Sequence, residues 1–233
     1  MKRPVLIGII IIIIIIIAIV IYLCINRDTE GITETNTIKV ENNNRTNRRL
    51  AIVVRDNYIS PEGGINIEDA KELIVQHLIS IEMEGDIRNH AKIKEITIQE
   101  AWENIGIQLY YVEIPWLSNG VIAISNDQVV GVLRADRRDE IFLADLNNDG
   151  IYKVVTIAQT ASGFVRRDIQ VLDVKNNRLY TYRRVLDALT LGIIDETGEL
   201  GVYKWQDDEK VLYGRLAIVD GELVIDNRVS EEI

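Results

Sequence analysis

Six consecutive residues near the middle of the chain have the spacing of a calcium-binding loop. Asp145, Asn147 and Asp149 place oxygen-bearing side chains at positions one, three and five, and Gly150 stands at position six, where such a loop turns sharply. Hard cations such as Ca²⁺ are bound by about six to eight oxygen atoms, and the carbonyl of Ile151 would add one ligand. The spacing therefore predicts a weak, structural Ca²⁺ site with four ligands from the loop: Asp145, Asn147, Asp149 and Ile151.

Two later positions depart from a complete calcium cage. Lys153 at position nine and Thr156 at position twelve stand where an EF-hand-like site carries acids. Asp136, Asp139 or Glu140 could supply the missing carboxylates from nearby. The alternative is an ordinary turn, in which the Asx side chains bond their own backbone. The sequence leaves these two interpretations open.

Apolar runs that are typical of strands bracket the loop, at residues 141–144 and 151–158, which excludes an EF-hand proper. A D-x-N-x-D-G loop between two strands resembles the FG-GAP or VCBS-type repeat of extracellular proteins, with Lys153 in place of the acid that those repeats usually keep. Over residues 139–223 the chain also resembles an uncharacterised β-domain that Gram-positive bacteria carry outside the membrane. The resemblance implies a surface location and a sensing role.

The second half of the chain has the pattern of the strands that would hold this loop. From residue 121 onward, short β-branched runs alternate with turn signals such as Asn126-Asp127, Asn176-Asn177 and Asp220-Gly221. About eight short strands at this spacing predict a sandwich, an open barrel or a propeller-like fragment. The predicted class is α+β with β dominant: an N-terminal transmembrane helix, then one amphipathic helix and an antiparallel β-meander.

One segment before the meander has a clear helical pattern. Asn66 can cap a helix over residues 67 to about 82, and acidic residues in its first turn complement the helix dipole. Its apolar face is formed by Ile67, Ala70, Leu73, Ile74, Leu78 and Ile81. Two segments with strand character follow, at residues 93 to about 102 and 105–114, and the first of them could instead be helical.

An unbroken apolar run at residues 5–25, directly behind Lys2 and Arg3, predicts a membrane anchor. As a helix it is roughly 31 Å long, which matches a hydrocarbon core of about 30 Å. The basic residues before it favour an N-terminus inside the cell and a C-terminal domain outside. The predicted plan is a transmembrane signal anchor at 1–25, a flexible stalk at 26–49, an α+β subdomain at 50–118 and an antiparallel β-domain at 119–233.

Composition removes several classes of function. Lys2 and Arg3 are the only charged residues among the first 25, so the rest of the chain carries 24 basic and 36 acidic side chains, a net charge of −12. Nucleic acid is a poor partner for such a domain, because phosphate binding needs clustered basic residues. The two histidines, His77 and His90, are too far apart in the sequence to form an H-E-x-x-H zinc site, and the chain has no G-x-S-x-G elbow or glycine-rich phosphate loop. We therefore predict no catalytic residues and no organic cofactor.

Three hypotheses about function are compatible with these features. The first is a single-pass, extracytoplasmic binding or sensory module without catalysis, with the lipid bilayer as partner through residues 5–25. The second is a cell-envelope hydrolase that acts on glycans through a carboxylate pair, which an excess of acids cannot identify by itself. The third is a structural accessory subunit that docks on another membrane protein.

Overall fold

Three antiparallel sheets dominate the computed structural model, which describes residues 51–55, 57–81, 86–115, 119–161, 165–185 and 189–227. The helices are α1 (Ile67–Ser80), α2 (Ile87–His90) and α3 (Gln99–Ile105), with a 3-10 helix at Arg138–Glu140. The first strands are β1 (Ala51–Val53), β2 (Lys92–Glu95), β3 (Gln108–Glu113), β4 (Gly120–Ser125), β5 (Gln128–Arg134) and β6 (Ile141–Ala144). The later strands are β7 (Lys153–Ala161), β8 (Val165–Asp173), β9 (Arg178–Val185), β10 (Leu189–Ile193), β11 (Leu200–Gln206), β12 (Glu209–Val219) and β13 (Glu222–Asp226).

Each sheet consists mainly of strands that follow one another in the chain. The N-terminal sheet has the order β2-β3-β4-β5, and the C-terminal sheet has the order β10-β11-β12-β13. The central sheet has the order β1-β6-β7-β8-β9, because β1 adds to β6 with Ala51 opposite Ala144. The predicted β-dominant α+β class and the antiparallel meander are confirmed for the described residues.

Two-residue hairpin links explain how these strands turn back so tightly. Their φ angles are 50° and 56° at Asn126 and Asp127, 49° and 65° at Asp207 and Asp208, and 51° and 79° at Asp220 and Gly221. Type I′ turns require positive φ at both positions, where Asn, Asp and Gly are tolerated best. The β8–β9 turn is longer, with residues 174–177 between the strands, and the Asp173 carboxylate closes it by accepting hydrogen bonds from the Asn176 amide nitrogen and side chain at 3.1 and 2.8 Å.

The sheets stack face to face, and α1 and α2 cover one outer side. An apolar cluster that includes Ile74 and Tyr110 joins these helices to the N-terminal sheet. A second cluster, which includes Leu109 and Leu143, joins the N-terminal sheet to the central sheet. A third joins the central sheet to the C-terminal sheet. The layers therefore run in the order helices, N-terminal sheet, central sheet, C-terminal sheet.

Burial on both faces of the central sheet accounts for its continuous apolar strands. All four residues of β6 are buried. In β7, Val154 packs in the cluster toward the N-terminal sheet, and its neighbour Val155 packs in the cluster toward the C-terminal sheet. Alternation of polar and apolar residues marks a sheet with one face in water, so it is absent where a sheet lies between two others.

Helix α1 confirms the predicted start and corrects the predicted end. The Asn66 Oδ1 atom accepts hydrogen bonds from the amides of Glu68 and Asp69 at 3.1 and 3.0 Å, as a capping residue does. The helix ends at Ser80. Ile81, which the pattern placed on the apolar face, is 49% exposed, because it lies past the last helical turn.

The segment with strand character at residues 93 to about 102 contains a strand followed by a helix. Strand β2 ends at Glu95, Ile96 and Ile98 are buried in the extended chain beyond it, and Ala101 is buried from helix α3. The spacing of the buried apolar residues thus changes from two, between Ile96 and Ile98, to three, between Ile98 and Ala101, so a search for one hydrophobic period does not detect the helix. The prediction of one amphipathic helix is wrong, since the described residues contain three α-helices.

The predicted anchor at residues 5–25 and the predicted stalk at residues 26–49 lie outside the described residues. The three helices that the structure describes are too short or too polar to cross a bilayer. The described elements belong to one compact unit, Asn47–Ile233. The sequence predicts a boundary between two subdomains at residues 118 and 119. Along the chain this boundary falls between β3 and β4, and those two strands pair in the N-terminal sheet.

Candidate functional site

The candidate site is the loop of residues 145–151, which connects β6 to β7 in the central sheet. Positive φ angles of 58° at Asn148 and 80° at Gly150 allow the chain to turn sharply there. The Asp145 carboxylate accepts hydrogen bonds from the Asp149 amide at 3.1 Å and from the Gly150 amide at 2.8 Å. The side chain of the first loop residue therefore holds the backbone of the turn, as an Asx residue does.

The Lys153 ammonium lies at the centre of the loop's oxygen atoms. Its side chain is 0% exposed, although Lys153 is only the first residue of β7. Nζ donates hydrogen bonds to Asn147 Oδ1 at 2.5 Å, to Asp149 Oδ1 at 2.8 Å and to the Ile151 carbonyl oxygen at 2.8 Å. Three of the four predicted calcium ligands thus converge on a cation that belongs to the chain itself.

Further hydrogen bonds make the loop rigid around this ammonium. The Asn147 side-chain nitrogen donates to Asp149 Oδ2 at 3.1 Å, and the Ile151 amide donates to Asp149 Oδ1 at 2.9 Å. Asp149 therefore accepts hydrogen bonds at both carboxylate oxygens. Each of these polar groups has a defined partner within the loop or in Lys153.

Two neighbouring layers are hydrogen-bonded to the loop. The side chain of Asn104, near the end of α3, donates to the Gly150 carbonyl at 3.0 Å and accepts from the Tyr152 amide at 2.7 Å. On the other side, the Ile218 amide of β12 donates to the Leu146 carbonyl at 2.9 Å. Leu146 itself is buried in the cluster between the central and C-terminal sheets. The loop is therefore a junction between α3, the central sheet and the C-terminal sheet.

The electrostatics of the loop favour an ionised Asp149. Burial, the largest single influence, raises the pKa of Asp149, but three hydrogen bonds and one charge act against it. The hydrogen bonds come from Lys153, the Ile151 amide and Asn147, and the charge is that of Lys153. Their sum holds the pKa of Asp149 below its usual value, so the carboxylate is negative over the neutral pH range.

These residues do not fit a resident Ca²⁺ ion. The oxygen atoms of Asn147, Asp149 and Ile151 that would bind it are occupied by a buried ammonium of the same sign of charge. The auxiliary carboxylates are engaged elsewhere: Asp136 accepts a hydrogen bond from the Gln159 amide, and Glu140 pairs with Arg167 at 3.3 Å. Within the described part of the chain, no group of three or more His, Cys, Asp and Glu side chains could hold a metal ion. The side chain of Asp139 lies outside that part.

The sequence pattern identified the loop but not the role of Lys153. The signal was present, because position nine carries a base where the pattern calls for an acid. A lysine at the start of a strand is ordinarily solvated, since lysine is almost never fully buried without a partner. Only the folded geometry places its Nζ atom inside the loop.

An open depression of about 640 Å³ lies next to the loop. Its lining comes from the loop, the β8–β9 hairpin and the β12–β13 hairpin: Asn147, Asp173, Asn176, Arg178, Tyr180, Ile218, Asp220 and Gly221. The exposed Arg178 guanidinium lies over the Tyr180 ring, 4.6 Å from its centroid. The depression thus combines a cation, an aromatic ring, amides and carboxylates, which offer hydrogen-bond donors and acceptors to a hydrophilic molecule.

A smaller depression of about 90 Å³ lies on the other flank of the loop, and Arg215 is among its lining residues. This guanidinium is paired with Glu199 at 2.8 Å and with Asp226 at 3.1 Å. Both carboxylates of this cluster bind the one guanidinium, so Arg215 is already engaged within the protein. The larger depression is therefore the better candidate for ligand binding.

Comparisons of the chain with protein-family models, with curated proteins and with solved structures found no match. The resemblance to FG-GAP or VCBS-type repeats accordingly stays a prediction. The described residues define a β-dominant α+β domain whose acidic loop is closed by an internal lysine. That loop and the depression beside it are the two features from which a function can be inferred.

Proposed function

We propose that this chain is a single-pass membrane protein whose extracytoplasmic α+β domain binds or senses a ligand and has no catalytic activity. The apolar run at residues 5–25 behind Lys2 and Arg3 supports the location. The net charge of −12 after the first 25 residues supports a domain that stays soluble beside a membrane and does not bind nucleic acid.

The observation that carries the binding function is the 640 Å³ depression around Arg178. Its guanidinium offers a fork of N–H donors to a carboxylate or phosphate, and stacking on Tyr180 holds the fork in place. Asp220 and the side-chain amide of Asn176 line the same depression and can bond hydroxyl or amide groups. The ligand is therefore a hydrophilic molecule with at least one anionic group, such as an acidic glycan of the cell wall.

The same depression favours binding over hydrolysis. Glycoside hydrolysis needs two carboxyl groups that both face the scissile bond. Asp173 and Asp220 are the acids that line the depression, but Asp173 is 2% exposed and accepts two hydrogen bonds from Asn176 of its own turn. That carboxylate serves the hairpin, which leaves Asp220 without a second acid opposite it in the described lining.

The strand order within the three separate sheets supports a propeller-like fragment over an open barrel. Each sheet contains four consecutive strands in meander order, as a propeller blade does, and β1 is an addition to the central one. Propellers close with about four to eight blades, so three such sheets form an open stack. The resemblance to a repeat that joins two strands through a D-x-N-x-D-G loop is consistent with this arrangement.

Protease treatment of intact cells tests the location. The full chain, tagged at its C-terminus, should be digested on intact cells and should sediment with the membrane fraction after lysis without detergent. A cytosolic marker protein provides the control for cell integrity. Complete protection on intact cells combined with digestion after lysis would reverse the orientation, and recovery in the aqueous fraction would remove the anchor.

A binding measurement with a matched pair of variants tests the ligand site. The full chain in mild detergent is titrated with soluble fragments of purified bacterial cell wall. Arg178→Ala should weaken binding by about tenfold or more, since it removes a charge-assisted contact. Lys175→Ala removes a neighbouring exposed charge from the same hairpin but not from the lining, and should leave binding unchanged. An equal loss in both variants would mean that only overall charge matters.

The other hypotheses give different results in the same preparation. Release of new reducing ends from the wall fragments would identify a hydrolase, and an Asp220→Asn variant would then abolish the release. Absence of binding, together with a membrane protein that co-purifies in stoichiometric amount, would identify an accessory subunit.

A further inference from the structure

We propose that the Lys153 ammonium takes the place of a divalent cation in the loop of residues 145–151, so that the native chain holds a calcium-type loop without metal. This role goes beyond the binding function, because it concerns how the loop is kept folded. It also explains why a loop with calcium spacing carries a base at position nine.

The donors of the ammonium match the acceptors of the loop in number. A lysine ammonium has three N–H donors and no acceptor. The loop directs three oxygen atoms at it, from Asn147, Asp149 and Ile151, at 2.5, 2.8 and 2.8 Å. Calcium–oxygen distances are about 2.3–2.6 Å. The loop can therefore close around an ammonium with dimensions close to those that it would have around the ion.

Complete burial of the ammonium also indicates a structural role. A fully buried lysine is costly unless its charge is paired and its donors are satisfied. The Lys153 side chain is 0% exposed, and the Asp149 carboxylate supplies the opposite charge at 2.8 Å. A buried charge with every donor in use is a structural element rather than a side chain that happens to lie near the loop.

The central sheet fixes the route by which the lysine side chain enters the loop. Lys153 pairs with Ala144 across β6 and β7, the two strands that the loop joins. Its backbone is thus held in place, and the side chain extends back toward the loop oxygens. A cation that belongs to the chain is present at every external calcium concentration. A bound ion, in contrast, stabilises a fold by an amount that depends on the ratio of its concentration to its dissociation constant.

The remaining predicted ligand, Asp145, is engaged by the backbone. In a metal-filled loop the first residue is a ligand, but here both oxygens of Asp145 accept hydrogen bonds from the amides of Asp149 and Gly150. An ion would have to displace the ammonium to reach the other three oxygens. Within the described residues, the loop therefore offers no vacant set of oxygen ligands.

Three forms of the full chain in mild detergent test the proposal: the wild type, Lys153→Asp and Lys153→Met. The aspartate restores the acid that position nine normally carries, and an aspartate plus an ion spans about the length of an extended lysine side chain. The methionine keeps most of the bulk of lysine but supplies neither a charge nor a ligand. Melting temperature is measured with excess CaCl₂ and with chelator, and calcium binding is measured by equilibrium dialysis.

The wild type should melt at the same temperature in both conditions and bind no Ca²⁺ that depends on this loop. Lys153→Asp should melt well below the wild type in chelator and recover about 5–10 °C when Ca²⁺ is about 100-fold above its dissociation constant. Lys153→Met should be destabilised equally in both conditions. Calcium binding by Lys153→Asp should exceed that of the wild type by one ion per chain.

Two results would overturn the proposal. One is a wild type whose melting temperature rises with Ca²⁺ and falls with chelator. The other is a Lys153→Asp variant that responds to Ca²⁺ no more than Lys153→Met does, including the case in which it stays unfolded in Ca²⁺. Neither result bears on the Arg178 depression, so failure here and failure of the binding function are separate findings.

Discussion

Lys153 and Asp149 form an asymmetric ion pair: their charged atoms lie 2.8 Å apart, but the lysine side chain is 0% exposed and the aspartate side chain is 31% exposed. Loss of the aspartate would leave a buried cation without its counter-charge. Loss of the lysine would leave a carboxylate that water can still reach. Removal of the aspartate and removal of the lysine should therefore lower the free energy of unfolding by different amounts.

Asp149→Asn tests the loss of the counter-charge from the buried lysine. The substitution keeps the shape of the side chain and removes its charge, so we expect a loss of about 2 kcal/mol in the free energy of unfolding. Removal of one partner from a fully buried pair typically costs about 3–5 kcal/mol, and the loss here is smaller because solvent screens the partly exposed aspartate. The measurement is urea denaturation at pH 7. Asp127→Asn, in an exposed hairpin turn, is the control and should stay within about 0.5 kcal/mol of the wild type.

The lowered pKa of Asp149 predicts a pH dependence of stability. A carboxyl whose pKa is lower in the folded state binds fewer protons there than in the unfolded chain. Its contribution is complete above the unfolded pKa of about 4 and is lost as pH falls through the lower folded value. The wild type should therefore lose stability below about pH 4 more steeply than Asp149→Asn. Equal slopes for the two proteins between pH 6 and pH 3 would contradict the prediction.

Asn104→Ala should loosen the attachment of the loop to α3. The substitution removes the hydrogen bonds to Gly150 and from Tyr152, each with a net contribution of about 0.5–1.5 kcal/mol. We expect a loss of about 1–2 kcal/mol and faster hydrogen exchange at the Tyr152 amide, which loses its acceptor. Glu103→Ala changes the adjacent exposed residue of the same helix and should leave that amide protected.

Gly131→Ala tests the packing of the N-terminal sheet on the central sheet. Both methyl carbons of Leu172 lie closer than 3.0 Å to the position of an added Cβ atom, so the change should cost about 1–3 kcal/mol through overpacking. Leu172→Ala alone should cost about 2–5 kcal/mol through the cavity that it leaves. In the double variant the added methyl group occupies part of that cavity. Its loss should be at least about 0.5 kcal/mol smaller than the sum of the single losses, and strict additivity would argue against the contact.

Local signals in the sequence predicted much of the architecture. Asn66 caps α1 and the Asn126-Asp127 and Asp220-Gly221 turns form hairpins, because a capping side chain or a positive φ depends on the few residues around it. The antiparallel, β-dominant class followed from the spacing of such turns. These features need no knowledge of distant partners.

Features that depend on distant partners were not predicted. Nothing local in β1 specifies that it joins β6, with Ala51 opposite Ala144. Two further errors were local: Ile81 has the spacing of a core residue but lies past the helix end, and the strand-like pattern before α3 conceals the start of that helix. Lys153 is the clearest case in the candidate site, because burial of its side chain becomes favourable only when the loop oxygens converge on it.

The hydrogen bonds from Asn104 to Gly150 and from Ile218 to Leu146 couple the folding of successive layers. Opening of the 145–151 segment would break its hydrogen bonds to both α3 and β12, so it would disturb two neighbouring elements at once. We therefore expect the described domain to unfold in one cooperative transition. The free energy needed to open the loop of residues 145–151 should then be close to the free energy of complete unfolding.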